Sequence, residues 1–128
     1  MAKLFAYLSY RDAGAAIEWL EAIGFEVTTR QDGEQGVMHA ELALGDAAVM
    51  LATADEPYEV PALKGRSTGH GLYLLVEDVR GAHSAAVRAG GRSVLEPEQT
   101  EWGTERARVL DPEGYEWSFG TYQPGGSW

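Results

Sequence analysis

Cysteine is absent from the 128 residues, which excludes a disulfide framework, a thiol nucleophile and every cysteine-based metal site. A metal in this chain would need His, Asp or Glu. Basic residues are scarce: Lys and Arg total 10 against 20 Asp and Glu, for a net charge of −10. That charge repels a phosphate backbone and an anionic membrane surface, so neither nucleic acid nor membrane is an expected partner. Apolar runs long enough to span a bilayer, about 18 residues or more, are missing. Residues 1–10 also lack the basic start and longer apolar stretch of a secretory signal, so the expected location is the cytoplasm. No Gly-rich loop has phosphate-cradling spacing, and no Ser-His-Asp arrangement can be traced.

What remains is a composition of 45% hydrophobic and 23% charged residues, the balance of a globular protein with a buried core. The length fits one domain, 1–128. Within it the sequence repeats. Residues 4–9 form an apolar strand, Asp12 is a helix N-cap, 13–22 have helical spacing, and Gly24 is a stop. Residues 72–76, Asp78, 79–89 and Gly90 repeat the pattern, offset by 66. Strands are predicted after each helix at 26–30, 37–44 and 48–52, and again at 93–96, 105–110 and 116–122. Each half is therefore βαβββ, an α+β architecture. The modules span 1–54 and 70–123, joined by a Pro- and Gly-containing linker at 55–69 and followed by a flexible tail at 124–128.

One helix covers one face of one sheet, so each module leaves a bare face, and two modules are expected to build one curved mixed sheet around a hollow. Strand alternation assigns the faces. Leu4, Ala6 and Leu8, and likewise Met38, Ala40, Leu42 and Leu44, are expected under the first helix. Phe5, Tyr7, Ser9, His39, Glu41 and Ala43 are expected on the open side. In the second half Ala107 and Val109 point to the core, and Arg106, Arg108 and Leu110 to the hollow.

The most specific local signal lies in residues 101–124, where Trp102-Gly103, Asp111-Pro112-Glu113-Gly114-Tyr115 and Trp117-Ser118-Phe119-Gly120-Thr121-Tyr122 make a strand-turn-strand pattern. Met38-His39-Ala40-Glu41, Gly45-Asp46 and Met50-Leu51 form the matching hairpin of the first half. The chain resembles the vicinal oxygen chelate superfamily of glyoxalases, bleomycin-resistance proteins and dioxygenases over nearly its whole length. The resemblance implies a homodimer. In metal-dependent members, four open-face positions supply His, Glu or Gln ligands, from the first and last strand of each module. Carried over residue by residue, those positions fall on Phe5, Met50, Gly71 and Ser118, none a usual ligand. His70 lies one residue from the Gly71 position and would turn inward if a bulge intervened.

Several residues have a use in a pocket and a plainer one beside it. His39 can serve as base, ligand or hydrogen-bonding group, or be a solvated strand histidine. Glu41 can orient His39 or pair with Arg106 or Arg108. Those arginines can grip an anionic group, or balance Glu41 and Glu116. Phe5, Tyr7, Tyr73 and Trp102 offer flat surfaces for a planar ligand, or fill space between modules. Trp19 and Trp117 are expected in the core, and His83 at the surface or an interface.

The expectation is a non-catalytic small-molecule binder, needing neither metal nor other cofactor, that sequesters an aromatic or amphipathic antibiotic or metabolite. Its expected contacts are Phe5, Tyr7, His39, Glu41, Met50, Tyr73, Trp102, Arg106, Arg108 and Ser118. The alternative is a lyase, isomerase or dioxygenase of the same superfamily, with a rearranged metal site or none. A regulatory or pure interaction module is a third reading, which a closed hollow and an exposed apolar patch would favour.

Overall fold

Among the described residues, ten elements follow one another in the order the repeat predicts. The computed structural model describes residues 2–54 and 70–126, so the expected linker 55–69 lies outside the described residues. The chain divides between His70 and Gly71 into two compact units. The first holds β1 (Ala6–Tyr10), α1 (Ala13–Ala22), β2 (Glu26–Gly33), β3 (Gly36–Leu44) and β4 (Ala47–Thr53). The second holds β5 (Leu72–Leu75), α2 (Val79–Arg88), β6 (Arg92–Gln99), β7 (Glu105–Leu110) and β8 (Glu116–Gly120). Each unit carries its own four-stranded mixed sheet, ordered β1-β4-β3-β2 and β5-β8-β7-β6, in which the first and last strands run parallel and the rest antiparallel.

The two helices begin and end by the same chemistry. Asp12 accepts from the Ala15 N–H at 3.0 Å and Asp78 from the Gly81 N–H at 2.9 Å, each satisfying a donor that the helix leaves unpaired. At the other end Gly24 and Gly90 take φ of +113° and +111°. The next residues fold back: Phe25 N–H donates to the Leu20 carbonyl and Gly91 N–H to that of Ala86, the paired-bond ending in which glycine is strongly preferred.

Each helix buries one stripe. In α1 this is Ala13, Ala16, Ile17 and Leu20, joined by Trp19. These lie over Ala40 and Leu42 of β3 and Val49 and Leu51 of β4, all buried. Each large apolar side chain fully withdrawn there contributes about 1.5–3 kcal/mol. In α2 the stripe is Val79, His83 and Ala86, over Ala107, Val109, Trp117 and Phe119. Both core tryptophans are thus buried as expected.

Three expectations are corrected. Leu4 is 98% exposed, because hydrogen bonding starts only at Ala6 and no neighbouring strand covers it. Met38 is 59% exposed and Val37 is buried instead. A register shift between Gln31 and Asp32 breaks the alternation at that end of the hairpin. His83 is only 8% exposed, not a surface residue. Its Nε2 lies 2.8 Å from Ser93 Oγ and 3.6 Å from a Glu96 carboxylate oxygen, so a polar ring is tolerated on the buried stripe. Pro97 falls inside β6, which its position at the sheet edge permits.

Asp111 anchors the β7–β8 turn. Its Oδ1 accepts from the N–H groups of Glu113 and Tyr115, both at 3.0 Å, and its Oδ2 from the indole N–H of Trp117 at 3.1 Å. Three donors on one buried carboxylate satisfy most of what burial would otherwise leave unpaired.

Candidate functional site

Because strand side chains alternate, the sheet face turned away from each helix is written in the register. In the first module Tyr7 pairs with Met50, Met50 with Glu41, and Glu41 with Thr29, forming a row across all four strands. The corresponding row of the second module is Tyr73, Ser118, Arg108 and Leu95. The repeat places Tyr7 and Tyr73 in equivalent positions and sets Met50 against Ser118, Glu41 against Arg108.

The two faces differ in charge. On the first, His39 Nε2 lies 2.7 Å from Glu41 Oε2, two residues along the same strand, with both side chains partly exposed. Of the two partners foreseen for Glu41, His39 is the one within its own module. On the second face both arginines meet glutamates: Arg106 lies 2.8 Å from Glu98, and Arg108 2.9 Å from Glu116, with a further bond of 3.1 Å to Ser118 Oγ. Glu116 was a foreseen partner. Glu98 was not, because the irregular β6–β7 register that brings it beside Arg106 leaves no mark on the sequence.

The aromatic residues divide. Tyr7 is 65% exposed on its face. Tyr73 is held, its hydroxyl donating to the Tyr122 carbonyl at 2.6 Å while the ring lies over Gly120. Partial burial raises the Tyr73 phenol above the usual tyrosine value. Tyr115 is raised too, by burial first and then by the carboxylates of Glu113 and Asp111. Phe5 is exposed just before β1, and Trp102, 64% exposed, sits in the β6–β7 turn rather than on a strand. Leu75, two residues beyond Tyr73, adds exposed apolar surface to the same face. Its spacing from Tyr73 was the available signal.

The four positions to which the resemblance carried metal ligands offer poor donors for one. Phe5 has no donor, Met50 offers only a weak thioether, and the Ser118 hydroxyl is engaged by Arg108. At Gly71 a side chain has no room, since a Cβ there would stand 2.9 Å from the Glu116 carbonyl oxygen and 3.1 Å from its Cγ. His70 lies outside β5, exposed, and the β5–β8 register runs without a bulge. Among the described residues no three of His, Asp and Glu gather as a metal would require.

A separate depression of about 350 Å³ lies at the start of α1, beside Arg11, Arg30, Asp32, Gln35 and Thr53. Arg30 and Asp32 are paired with each other there at 3.0 Å. No helix among the described residues is long and apolar enough to cross a membrane.

The model of the glyoxalase/bleomycin resistance protein/dioxygenase superfamily matches residues 5–119. No curated protein matches the chain. Among solved structures, TioX from Micromonospora sp. ML1 is 28% identical, with a TM-score of 0.74 over 98% of this chain and 100% of that one. UcmS2 gives 21% identity and 0.71 over 95% and 99%. A bleomycin-binding protein complexed with bleomycin gives 20% and 0.64 over 96% and 100%. The last two speak to the fold alone.

Proposed function

Because the chain belongs to the glyoxalase/bleomycin resistance protein/dioxygenase superfamily, we propose that it is a metal-independent small-molecule binding protein that sequesters an aromatic or amphipathic antibiotic or metabolite on its open sheet faces. One observation carries this reading. Where metal-dependent relatives would present ligands, this chain has Phe5, Met50, Gly71 and Ser118, while the neighbouring Tyr7 and Tyr73 lie across the sheet from Met50 and Ser118. Flat rings flanked by a few polar groups suit a planar ligand, and the charge pairs beside them supply hydrogen bonds that fix its orientation. The bleomycin-bound relative supports the same use of the fold. We further propose that the protein acts in the cytoplasm as a homodimer, with both modules belonging to one domain.

Two measurements on the purified, untagged protein test this. Elemental mass spectrometry, with melting followed on addition of zinc, nickel, manganese or ferrous ion, should find near-zero metal and no shift. About one metal per chain, with stabilisation lost in His39→Ala or His70→Ala, would refute metal independence. A panel of planar and amphipathic compounds should raise the melting temperature and quench the exposed Trp102. A panel without any such compound would refute binding. Sedimentation tests the dimer.

A further inference from the structure

The repeat exposes a difference between the modules at the corner where each helix begins. In the second module that corner is filled by its own side chains. Arg80, two residues after the cap Asp78, lies 3.2 Å from a Glu105 carboxylate oxygen, and the Gln99 amide donates to the same oxygen at 3.4 Å. The Thr121 hydroxyl accepts from the Glu105 N–H at 2.9 Å. In the first module the residue two after the cap Asp12 is Gly14, Met38 stands where Glu105 does, and Thr53 where Thr121 does. With neither the arginine nor the glutamate, a hollow of about 350 Å³ remains, within the ~300–1,000 Å³ of small-molecule pockets. Arg30 pairs across the hairpin with Ala40, which lies under α1, and Asp32 with the buried Val37. Opposed strand residues share a face, so the hollow is on the helix side of the sheet, away from Tyr7, His39 and Glu41.

The charges around this hollow are mixed: Arg11, Arg30, Asp12 and Asp32 all line it. A purely anionic ligand would meet two aspartates and the chain's net charge of −10, and a purely cationic one would meet two arginines. A ligand carrying both signs meets neither obstacle. Arg30 commits its Nε to Asp32 Oδ1 at 3.0 Å, and among the described residues its two terminal nitrogens and Asp32 Oδ2 have no partner. Among the same residues the Thr53 hydroxyl and the Gln35 amide have none either. A partly exposed ion pair of this kind holds itself weakly and keeps donors and an acceptor for a guest.

We propose that the hollow is a second small-molecule site, which takes the zwitterionic head of a free α-amino acid. The carboxylate sits on the terminal nitrogens of Arg30 and the Thr53 hydroxyl, and the ammonium on Asp32 Oδ2. The two charges of an amino acid are one carbon apart, and the guanidinium and carboxylate that face them are in contact, so two ion pairs form side by side in opposite sense. The Gln35 amide, exposed in the β2–β3 turn, is left for the amino acid's side chain. The site is independent of ligand binding on the open faces.

The test titrates the full chain with L-serine, L-glutamine and L-leucine while its backbone amides are followed by NMR. Saturable shifts should concentrate at Gly14, Gly33, Gly36 and Thr53, which line the hollow, and spare Tyr7, His39 and Glu41. L-Serinamide, which lacks the carboxylate, and N-acetyl-L-serine, which lacks the ammonium, should each bind about tenfold or more weakly than L-serine, the loss of one charged contact. Arg30→Gln and Asp32→Asn should each weaken L-serine by about tenfold or more. Gly14→Arg puts the second module's residue in the first. Outside the helix backbone a Cβ there meets nothing closer than Asp12 Oδ1 at 3.6 Å, and arginine is the better helix former, so this variant should melt no lower than the native chain while L-serine binding is abolished. No saturable shift with any of the three amino acids would overturn the proposal, as would shifts confined to the open face. Equal affinity for L-serine and its two blocked forms, tighter binding of inorganic phosphate than of L-serine, or unchanged binding in Gly14→Arg would each overturn it too.

Discussion

Replacing Asp111 with alanine should destabilise the second module strongly, although the residue touches no proposed ligand. The substitution removes the acceptor of three N–H groups, two from the turn backbone and one from the indole of a fully buried tryptophan. The indole N–H cannot reach water, so leaving it unpaired costs about 1–3 kcal/mol. The two backbone donors lie at a turn with exposed residues and can rehydrate, so each loses only about 0.5 kcal/mol. The total is about 3 kcal/mol, or roughly 12 °C of melting temperature for a chain of this length. Asp111→Asn should cost less, since the amide oxygen keeps some acceptance while its NH2 opposes another donor. The assay is urea unfolding and thermal melting, with Trp117→Phe completing a double-mutant cycle. With the indole donor gone, Asp111→Ala should cost about 1–2 kcal/mol less than in the native background. A drop below about 3 °C for Asp111→Ala, or a cycle without coupling, would refute the anchoring role.

Three other outcomes are expected. Gly24→Ala and Gly90→Ala should each lower stability in urea unfolding by about 1 kcal/mol or more, Gly24 the more, since its new Cβ would meet Leu44 at 3.3 Å whereas that at Gly90 would meet Pro112 at 3.9 Å. Tyr73 and Tyr115 have raised folded values, so their contribution to stability is complete below the ordinary tyrosine value and is lost as pH climbs through the raised ones. Alkaline melting curves should show this loss, reduced in Tyr73→Phe, and ultraviolet titration should show the late phenols. Tyr7→Ala should weaken binding of a planar ligand about tenfold or more and Trp102→Ala less, each shifting melting by under about 2 °C because both side chains are exposed. Equal losses of binding and stability would place them in a packed core.

Much of the fold was legible because its signals are local. Asp12 and Asp78 announce helix starts, Gly24 and Gly90 announce ends, and period-two alternation separates Ala40 and Leu42 from His39 and Glu41. Where local pattern misled, a tertiary feature intervened. A bulge moved Met38 out and Val37 in. His83 looked like a surface residue among small neighbours, yet it falls four residues after Val79 and three before Ala86, and Ser93 on another element satisfies it.

By itself, the amino-acid sequence determined the repeat, the elements, the faces on which Tyr7, Tyr73, His39, Glu41 and the two arginines stand, and the absence of His, Asp and Glu at positions 5, 50, 71 and 118. These depend on residue type and on spacing along one strand or helix. Only the tertiary structure decided which charges pair, Arg106 with Glu98 and Arg108 with Glu116, and that Gly71 faces the Glu116 carbonyl with no space for a ligand. It also decided that Tyr73 is held while Tyr7 stands open. Those outcomes depend on which strands become neighbours and in what register, and interstrand register is set by contacts between residues far apart in the chain.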